Sequence, residues 1–207
     1  MAGMGTRLGK NCPKGLVDIR EHKLVYYLLQ CVENIPDVRI VVGFHAQDVI
    51  DYVKSVRSDV NFVLNSDYET TTCAYSINLG CCDLPDPYLI VDGDLLLNRH
   101  SFNQFVEACK SGNTLVGITP AKTEQSVFVD IDESLQMIKG FTRQPVSKWE
   151  WSGVAFVNGF HIEKSERFIC DTLAKKLPLR YQPIECFEID TPADYQLALD
   201  NFEMLGY

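Results

Sequence analysis

Residues 38–65 read VRIVVGFHAQDVIDYVKSVRSDVNFVLN. VRIVVGF (38–44) is a short apolar run rich in β-branched residues, which suits a buried strand. AQDVIDYVKSV (46–56) follows with apolar residues at helical spacing. VNFVLN (60–65) is a second strand-like run. Strand and helix then keep alternating. TTTCAYSINLGCC (70–82) opens on hydroxyl residues able to cap a helix and continues at helical period. PYLIVDGDLLL (87–97) predicts a buried strand ending in acids. SFNQFVEACKSG (101–112) has a Ser cap, helical spacing and a terminal Gly. This β-α-β-α-β order predicts an α/β fold: a Rossmann-like, doubly wound, mainly parallel sheet with helices on both faces.

After residue 112 the pattern changes. TLVGITP, SVFVDID, LQMIKGF and WSGVAFVNGF predict four strands with short connections, a more antiparallel C-terminal part. A helix around 163–176, a strand at PIECFEID (183–190) and a final helix at TPADYQLALDNFEML (191–205) follow. Thr191 is its expected cap and Pro192 lies in its first turn. No linker or internal repeat divides the chain, so one domain over 1–207 is expected.

The 207 residues are enough for one α/β core. The apolar and charged fractions, 46% and 23%, are those of a soluble globular protein. No apolar run approaches a membrane span, and no signal-peptide pattern opens the sequence. A formal charge of -9 argues against a nucleic-acid surface, which needs a broad basic face. None of the eight cysteines forms a C-x-x-C pair, so a zinc site is not indicated and a reducing, cytoplasmic setting is.

MAGMGTRLGKNCPKGLV (1–17) carries the first chemical signal. Gly3 and Gly5 permit a tight turn whose backbone N–H groups face one point, an anion cradle. Arg7 adds a forked cation and Lys14 a point charge. Pro13 fixes φ just before Lys14 and so holds that side chain on a preset path. The dinucleotide fingerprint G-x-G-x-x-G fails on register, since Leu8 stands where its third glycine belongs and Gly9 comes one place late. Arg7 and Lys14 beside the turn suit a triphosphate better.

AGMGTRLGKNCPKGLV resembles the signature loop of the nucleotidyltransferases that join a nucleoside triphosphate to a phosphate ester. The short LGKNC spacer is similar to that of cytidylyltransferases acting on alcohol phosphates. LNSDYETTTCAYSINLG is similar to their N-x-x-Y and Y-S-L segments, VDGDLLL to the metal-binding strand end, and FEIDTPADYQLA to the closing strand and helix. The resemblance implies Arg7 and Lys14 as catalytic cations. It implies nucleotide contacts from Ala2, Gly3, Met4, Gly5 and Thr6 and from Thr72, Cys73 and Ser76. Asp94 and Asp190 would hold Mg²⁺. Members also place an apolar strand directly before this loop, where the sequence has only Met1. The expected consequence is a weakened sheet and a frayed Ala2 and Gly3.

Two acids 96 positions apart can meet because strand carboxyl ends gather at the ligand crevice of an open α/β sheet. Asp92 competes with Asp94, since alternation places both on one side of a strand. Asp94 is favoured because it matches the acid of the family's G-D step. At the acceptor end, IKGFTRQPVSKWEWSG (138–153) supplies Arg143 and Lys148 as phosphate clamps. Arg143 and Gln144 stand where sugar-nucleotide relatives have Glu and Lys. Trp149 and Trp151, two apart with Glu150 between, would share one strand face and suit a quaternary ammonium, or simply pack over the sheet.

The leading expectation is Mg²⁺-dependent transfer from an NTP, CTP first, to a small phosphorylated alcohol or amine such as phosphocholine, with loss of pyrophosphate. The alternatives are a sugar-1-phosphate nucleotidyltransferase, a nucleotide-binding module with little turnover, and a structural subunit. The expected partners are small molecules, with no nucleic acid and no membrane. A homodimer is an arrangement the sequence leaves open.

Overall fold

The computed structural model describes residues 1–207 except Met4, 123–125, Val146 and the side chain of Thr6. A small hairpin, β1 (Asp18–Ile19) and β2 (His22–Lys23), leads into α1 (Leu24–Cys31). Then come β3 (Val38–Val42), α2 (Ala46–Val56), β4 (Val60–Leu64), α3 (Cys73–Cys81), β5 (Tyr88–Val91), β6 (Leu95–Leu97) and α4 (Arg99–Cys109). The second half holds β7 (Leu115–Pro120), β8 (Phe128–Asp132), β9 (Met137–Thr142), β10 (Trp149–Val157), α5 (Ile169–Ala174), β11 (Leu179–Pro183), β12 (Cys186–Glu188) and α6 (Pro192–Asp200).

The stretch 38–65 folds as its pattern predicts. β3 and β4 pair in parallel from Val38↔Val60 to Val42↔Leu64. α2 buries Val49 and Val53 against them, one turn apart on one face.

The fold is a mixed α/β arrangement, but the mainly parallel sheet forms only in part. The largest sheet has six strands in the order β5-β10-β7-β11-β9-β8, and within it only β7–β11 is parallel. β3–β4 stands as a separate two-stranded sheet, with no hydrogen-bonded link to β5 among the described residues. A cavity of about 1340 Å³ runs between them and is lined by residues of both strands.

Several boundaries differ from the sequence reading. The run 87–97 is two strands, because the chain turns at 92–94 and β6 pairs antiparallel with β12 instead of extending β5. The expected strand 183–190 is shortened to β12, and β11 ends at Pro183, which has no N–H for a further ladder bond. α4 is capped by Asn98, whose side chain accepts from the Ser101 N–H at 2.8 Å, and not by Ser101. α5 occupies only six residues of the expected 163–176. α1 had no sequence signal of its own. LVYYLLQC is apolar almost all round, which hides periodicity, and six of its eight residues are buried.

α1 lies among three cores, with Leu24 and Tyr27 packed in the one that holds Ile19, Leu96 and Ile189. Val25 and Leu29 face β3 and α2, while Leu28 and Cys31 face β6 and α4. The chain's first residues are held better than expected. Ala2 is buried, and its carbonyl accepts from the Phe44 N–H at 3.0 Å. Gly3 is exposed.

Candidate active site

The turn at the start of the chain is built around Gly5. Its φ of +61° lies in the left-handed region, and a Cβ there would stand 3.0 Å from Cγ of Lys14. Glycine is therefore needed twice over, for the turn and for the lysine stem packed on it. The Leu8 N–H donates to the Gly5 carbonyl at 3.1 Å and closes a short 3₁₀ turn over Thr6–Leu8. Pro13, at φ −54°, leads into a second 3₁₀ turn, Lys14–Leu16. The Leu16 N–H reaches the Pro13 carbonyl at 2.8 Å, which fixes the backbone carrying Lys14.

Two acid-bearing turns meet this lysine. Asp94 follows β5 and Asp190 follows β12, and the Ile189 N–H donates to the Asp94 carbonyl at 2.8 Å. Lys14 Nζ lies 2.6 Å from Asp94 Oδ2 and 2.6 Å from Asp190 Oδ1. Arg7 Nη2 lies 2.6 Å from Asp190 Oδ2. Burial works against the Lys14 charge, but the Asp94 and Asp190 carboxylates outweigh it and raise its pKa, so the side chain stays an ammonium. Arg7 is the exposed member, with 64% of its side chain accessible. Of the two candidate acids Lys14 pairs with Asp94, and no ion pair joins it to Asp92.

Asp92 and Glu188 sit behind this pair. Burial first, then the Asp94 charge, pushes Asp92 up to about 7 and Glu188 up to about 8. A hydrogen bond from the Trp151 side chain pulls Asp92 partly back. Both lie deep among protein atoms at the cavity, although by surface area Asp92 is half-buried and Glu188 is exposed to it. Gly153, at φ +80°, makes room for Asp92, because a Cβ there would meet Asp92 Oδ2 at 3.0 Å. Desolvation, then the Asp92 charge, also raises the Cys73 thiol, although that residue is exposed to the cavity.

Ala2, Gly3, Gly5, Arg7, Lys14, Asp94 and Asp190 all line the cavity, as do Thr72, Cys73 and Ser76. Met4 and the Thr6 side chain lie outside the described residues. Thr72 caps α3, accepting from the Tyr75 N–H at 3.1 Å and donating to the Glu166 carbonyl at 2.8 Å. Buried Asn65 donates to Thr71 Oγ1 at 2.9 Å and Ser76 Oγ at 3.0 Å, which fixes the hydroxyl-rich wall.

The acceptor-end residues divide. Arg143 and Trp151 line the cavity, and the Arg143 guanidinium lies 4.4 Å from the centre of the Phe168 ring. Trp149 and Lys148 are not among the lining residues. Trp149 packs against the core of the large sheet, and Lys148 pairs with Glu133 at 3.0 Å. The two tryptophans share one face of β10 and both pack on that core, and of the two only Trp151 lines the cavity. Glu188, Lys122 and Asn65 are site residues that sequence reasoning missed. Lys122 donates its N–H to Glu150 at 3.2 Å and its ammonium to Thr119 Oγ1 at 2.8 Å. The signal for Glu188 was present: in FEID, period-two alternation puts Glu188 and Asp190 together, with Ile189 turned into the core.

Residues 1–173 match the family of MobA-like NTP transferase domains. The chain belongs to this family. It is therefore a nucleotidyltransferase, and its reaction is transfer of a nucleotidyl group to a phosphate-bearing substrate. No curated protein matches the sequence. Among solved structures, CTP:phosphocholine cytidylyltransferase from Streptococcus pneumoniae is similar at a TM-score of 0.78 and 21% identity, over 97% of this chain and 96% of that one. A UDP-glucose pyrophosphorylase complexed with UDP-glucose also gives 0.78, at 17% identity over 98% and 95%. The inositol-1-phosphate CTP transferase from T. maritima gives 0.71, at 19% over 97% and 93%. At these identities the likeness is one of fold.

NTP transferases of this family generally use a divalent metal. The residues here fit one: Asp94 and Asp190, from different elements, already converge on a single positive charge at Lys14. Among the described residues no three His, Cys, Asp or Glu side chains gather to hold a metal. Mg²⁺ needs no such group, since it takes one or two carboxylates and fills its other positions with phosphate oxygens and water. Among the described residues no helix is long and apolar enough to cross a membrane.

Proposed function

We propose that the protein transfers a cytidylyl group from CTP to a small phosphorylated alcohol bearing a cation, phosphocholine in the first place, with Mg²⁺ as cofactor. The observation that carries the reading is the Lys14 ammonium held 2.6 Å from both Asp94 and Asp190 beside the Gly5 turn. An acceptor phosphate oxygen attacks the α-phosphorus. The new P–O bond forms as the bond to the β-phosphate bridging oxygen breaks, and pyrophosphate leaves. Bringing two polyanions together is mainly a problem of position and charge.

The backbone of residues 2–6 offers N–H groups to the triphosphate. Arg7, exposed at the mouth, reaches the same phosphates, and Lys14 stabilises charge developing on the transferred group. Asp94 and Asp190 are the groups to hold Mg²⁺, which supplies charge neutralisation and orientation of the phosphate oxygens. Thr72, Cys73 and Ser76 face the base and ribose. At the acceptor end, Trp151 beside Asp92 presents an aromatic face, which favours a quaternary ammonium. Arg143 is placed to meet the acceptor phosphate.

The test is a panel of the four common NTPs against phosphocholine, phosphoethanolamine, inositol phosphate and glucose 1-phosphate, read by pyrophosphate release with Mg²⁺. Highest turnover with CTP and phosphocholine supports the proposal. Turnover confined to glucose 1-phosphate would move the protein to the sugar-nucleotide class. Nucleotide-dependent thermal stabilisation with no pyrophosphate from any pair would make it a binding module.

A further inference from the structure

Three hydroxyl residues line the cavity at the start of α3: Thr71, Thr72 and Ser76. A hydroxyl has one proton to donate and two lone pairs that accept, so where the proton goes decides what it offers a ligand. Thr71 donates to the Asp67 carbonyl at 2.8 Å, and Thr72 to the Glu166 carbonyl at 2.8 Å. Both protons are spent inside the protein. Ser76 differs. Its one acceptor among the described residues is the Thr72 carbonyl at 3.4 Å, which already takes the Ser76 backbone N–H at 3.1 Å. A good O–H···O bond spans about 2.7–2.8 Å, so this contact holds the proton weakly.

Asn65 sets this polarity. It directly follows β4, is buried, and is tied to β3 by its N–H, which donates to the Val42 carbonyl at 2.8 Å. The Asp67 N–H lies 3.1 Å from the Asn65 side-chain oxygen, and only an oxygen can accept there. The amide nitrogen therefore faces the two hydroxyls, Thr71 Oγ1 at 2.9 Å and Ser76 Oγ at 3.0 Å, and uses one N–H on each. Because Ser76 Oγ accepts from this amide, its own proton does not turn toward Asn65 and is left for the cavity. Asn65 itself is not among the lining residues, so it reaches a ligand only through these hydroxyls.

We propose that Asn65 is a positioning residue for the nucleotide: it makes Ser76 a hydrogen-bond donor to a ring carbonyl of the base, the C2 oxygen of a pyrimidine. This role rests on the proposed function for the place of the base against Ser76. A donor held in that direction complements a carbonyl and not an amino group. It favours a pyrimidine over adenine, which carries no carbonyl, and it does not separate CTP from UTP. The neighbouring hydroxyls of Thr71 and Thr72, with their protons already committed, add no competing donor.

The test is calorimetry of CTP with the parent, Asn65→Asp, Ser76→Ala and the double variant, beside thermal melts and steady-state kinetics. An aspartate at 65 still accepts from the Asp67 N–H but also takes the Ser76 proton, so the serine turns a lone pair to the cavity. Asn65→Asp and Ser76→Ala should each weaken CTP binding about tenfold, and the double variant should lose no more than either alone. KM for CTP should rise about tenfold, with kcat and the acceptor KM within about twofold of the parent. Asn65→Leu removes the amide without adding a charge and serves where the aspartate variant does not fold. Its loss, about threefold, should also vanish in the Ser76→Ala background. 2-Thiocytidine triphosphate, whose sulfur accepts poorly, should bind the parent about fivefold more weakly than CTP and bind Ser76→Ala about as well as CTP does. CTP held equally by the parent and Asn65→Asp, losses that multiply in the double variant, or no discrimination against the thio nucleotide by the parent overturns this role alone. A parent that binds none of the four common NTPs overturns the proposed function and this role together.

Discussion

Replacing Lys14 with Met removes the one cation that Asp94 and Asp190 share, with Asp92 and Glu188 close behind them. Breaking a buried ion pair from one side costs about 3–5 kcal/mol. Here the side chains of Lys14, Asp94 and Asp190 keep 18%, 21% and 10% of their exposure, and Arg7 still reaches Asp190. Solvent and Arg7 together reduce the loss to about 2 kcal/mol. For a chain of this length that lowers Tm by about 4–8 °C. The effect on turnover should be much larger. Removing one preorganised donor from a developing negative charge costs about 10²–10³ in rate. The assay is pyrophosphate release at saturating CTP and phosphocholine, run well below the variant's Tm, beside a thermal melt. A Lys14→Met variant that melts lower but turns over within about threefold of the parent would make Lys14 a structural counter-ion and refute its catalytic role.

Three further outcomes follow from the geometry. Gly5→Ala places a Cβ 3.0 Å from the Lys14 stem at φ +61°, so it should cost about 1–2 kcal/mol of stability and weaken CTP binding, measured by calorimetry; unchanged affinity would disconnect the turn from the nucleotide. Asp92 is raised from 3.8 to about 7, so the folded state holds its proton more tightly and loses stability as pH rises from about 4 to about 7, by at most about 1.4 kcal/mol per unit. Asp92→Asn should therefore match the parent near pH 4 and exceed it at pH 8 in urea melts, and a gap that does not change with pH would contradict the burial argument. Trp151→Ala should raise KM for phosphocholine about tenfold, while Lys148→Ala, paired with Glu133 away from the cavity, should leave it within about twofold.

The parts of the fold legible in sequence were those where local pattern and burial agree. VRIVV, AQDVIDYVKSV and VNFVL each bury a face at their own period, and the parallel β3–β4 pair follows. The acids were legible as chemistry and as the end of a strand; what sequence did not give is the turn at Gly93 between them, which packs on Met1, and the Gly153 contact to Asp92, both far apart in sequence. α1 was invisible because a helix buried on nearly all sides has no polar face to mark its period. The tryptophans show the opposite failure. Spacing placed Trp149 and Trp151 on one face, and they do share one face of β10 and the same core, but their depth along the strand, which spacing does not give, brings only Trp151 to the cavity. Nothing in the sequence around Lys122 marked it as a partner of Glu150.

In the proposed mechanism the opening turn and two distant aspartates surround one metal-bound triphosphate. Mn²⁺ binding, followed by electron paramagnetic resonance as CTP is added, tests it directly. The parent should bind one Mn²⁺ in the presence of CTP, and Asp94→Asn and Asp190→Asn should each weaken that binding by about tenfold or more while leaving the fold intact by circular dichroism. Mn²⁺ held equally well by the parent and by both variants would contradict it.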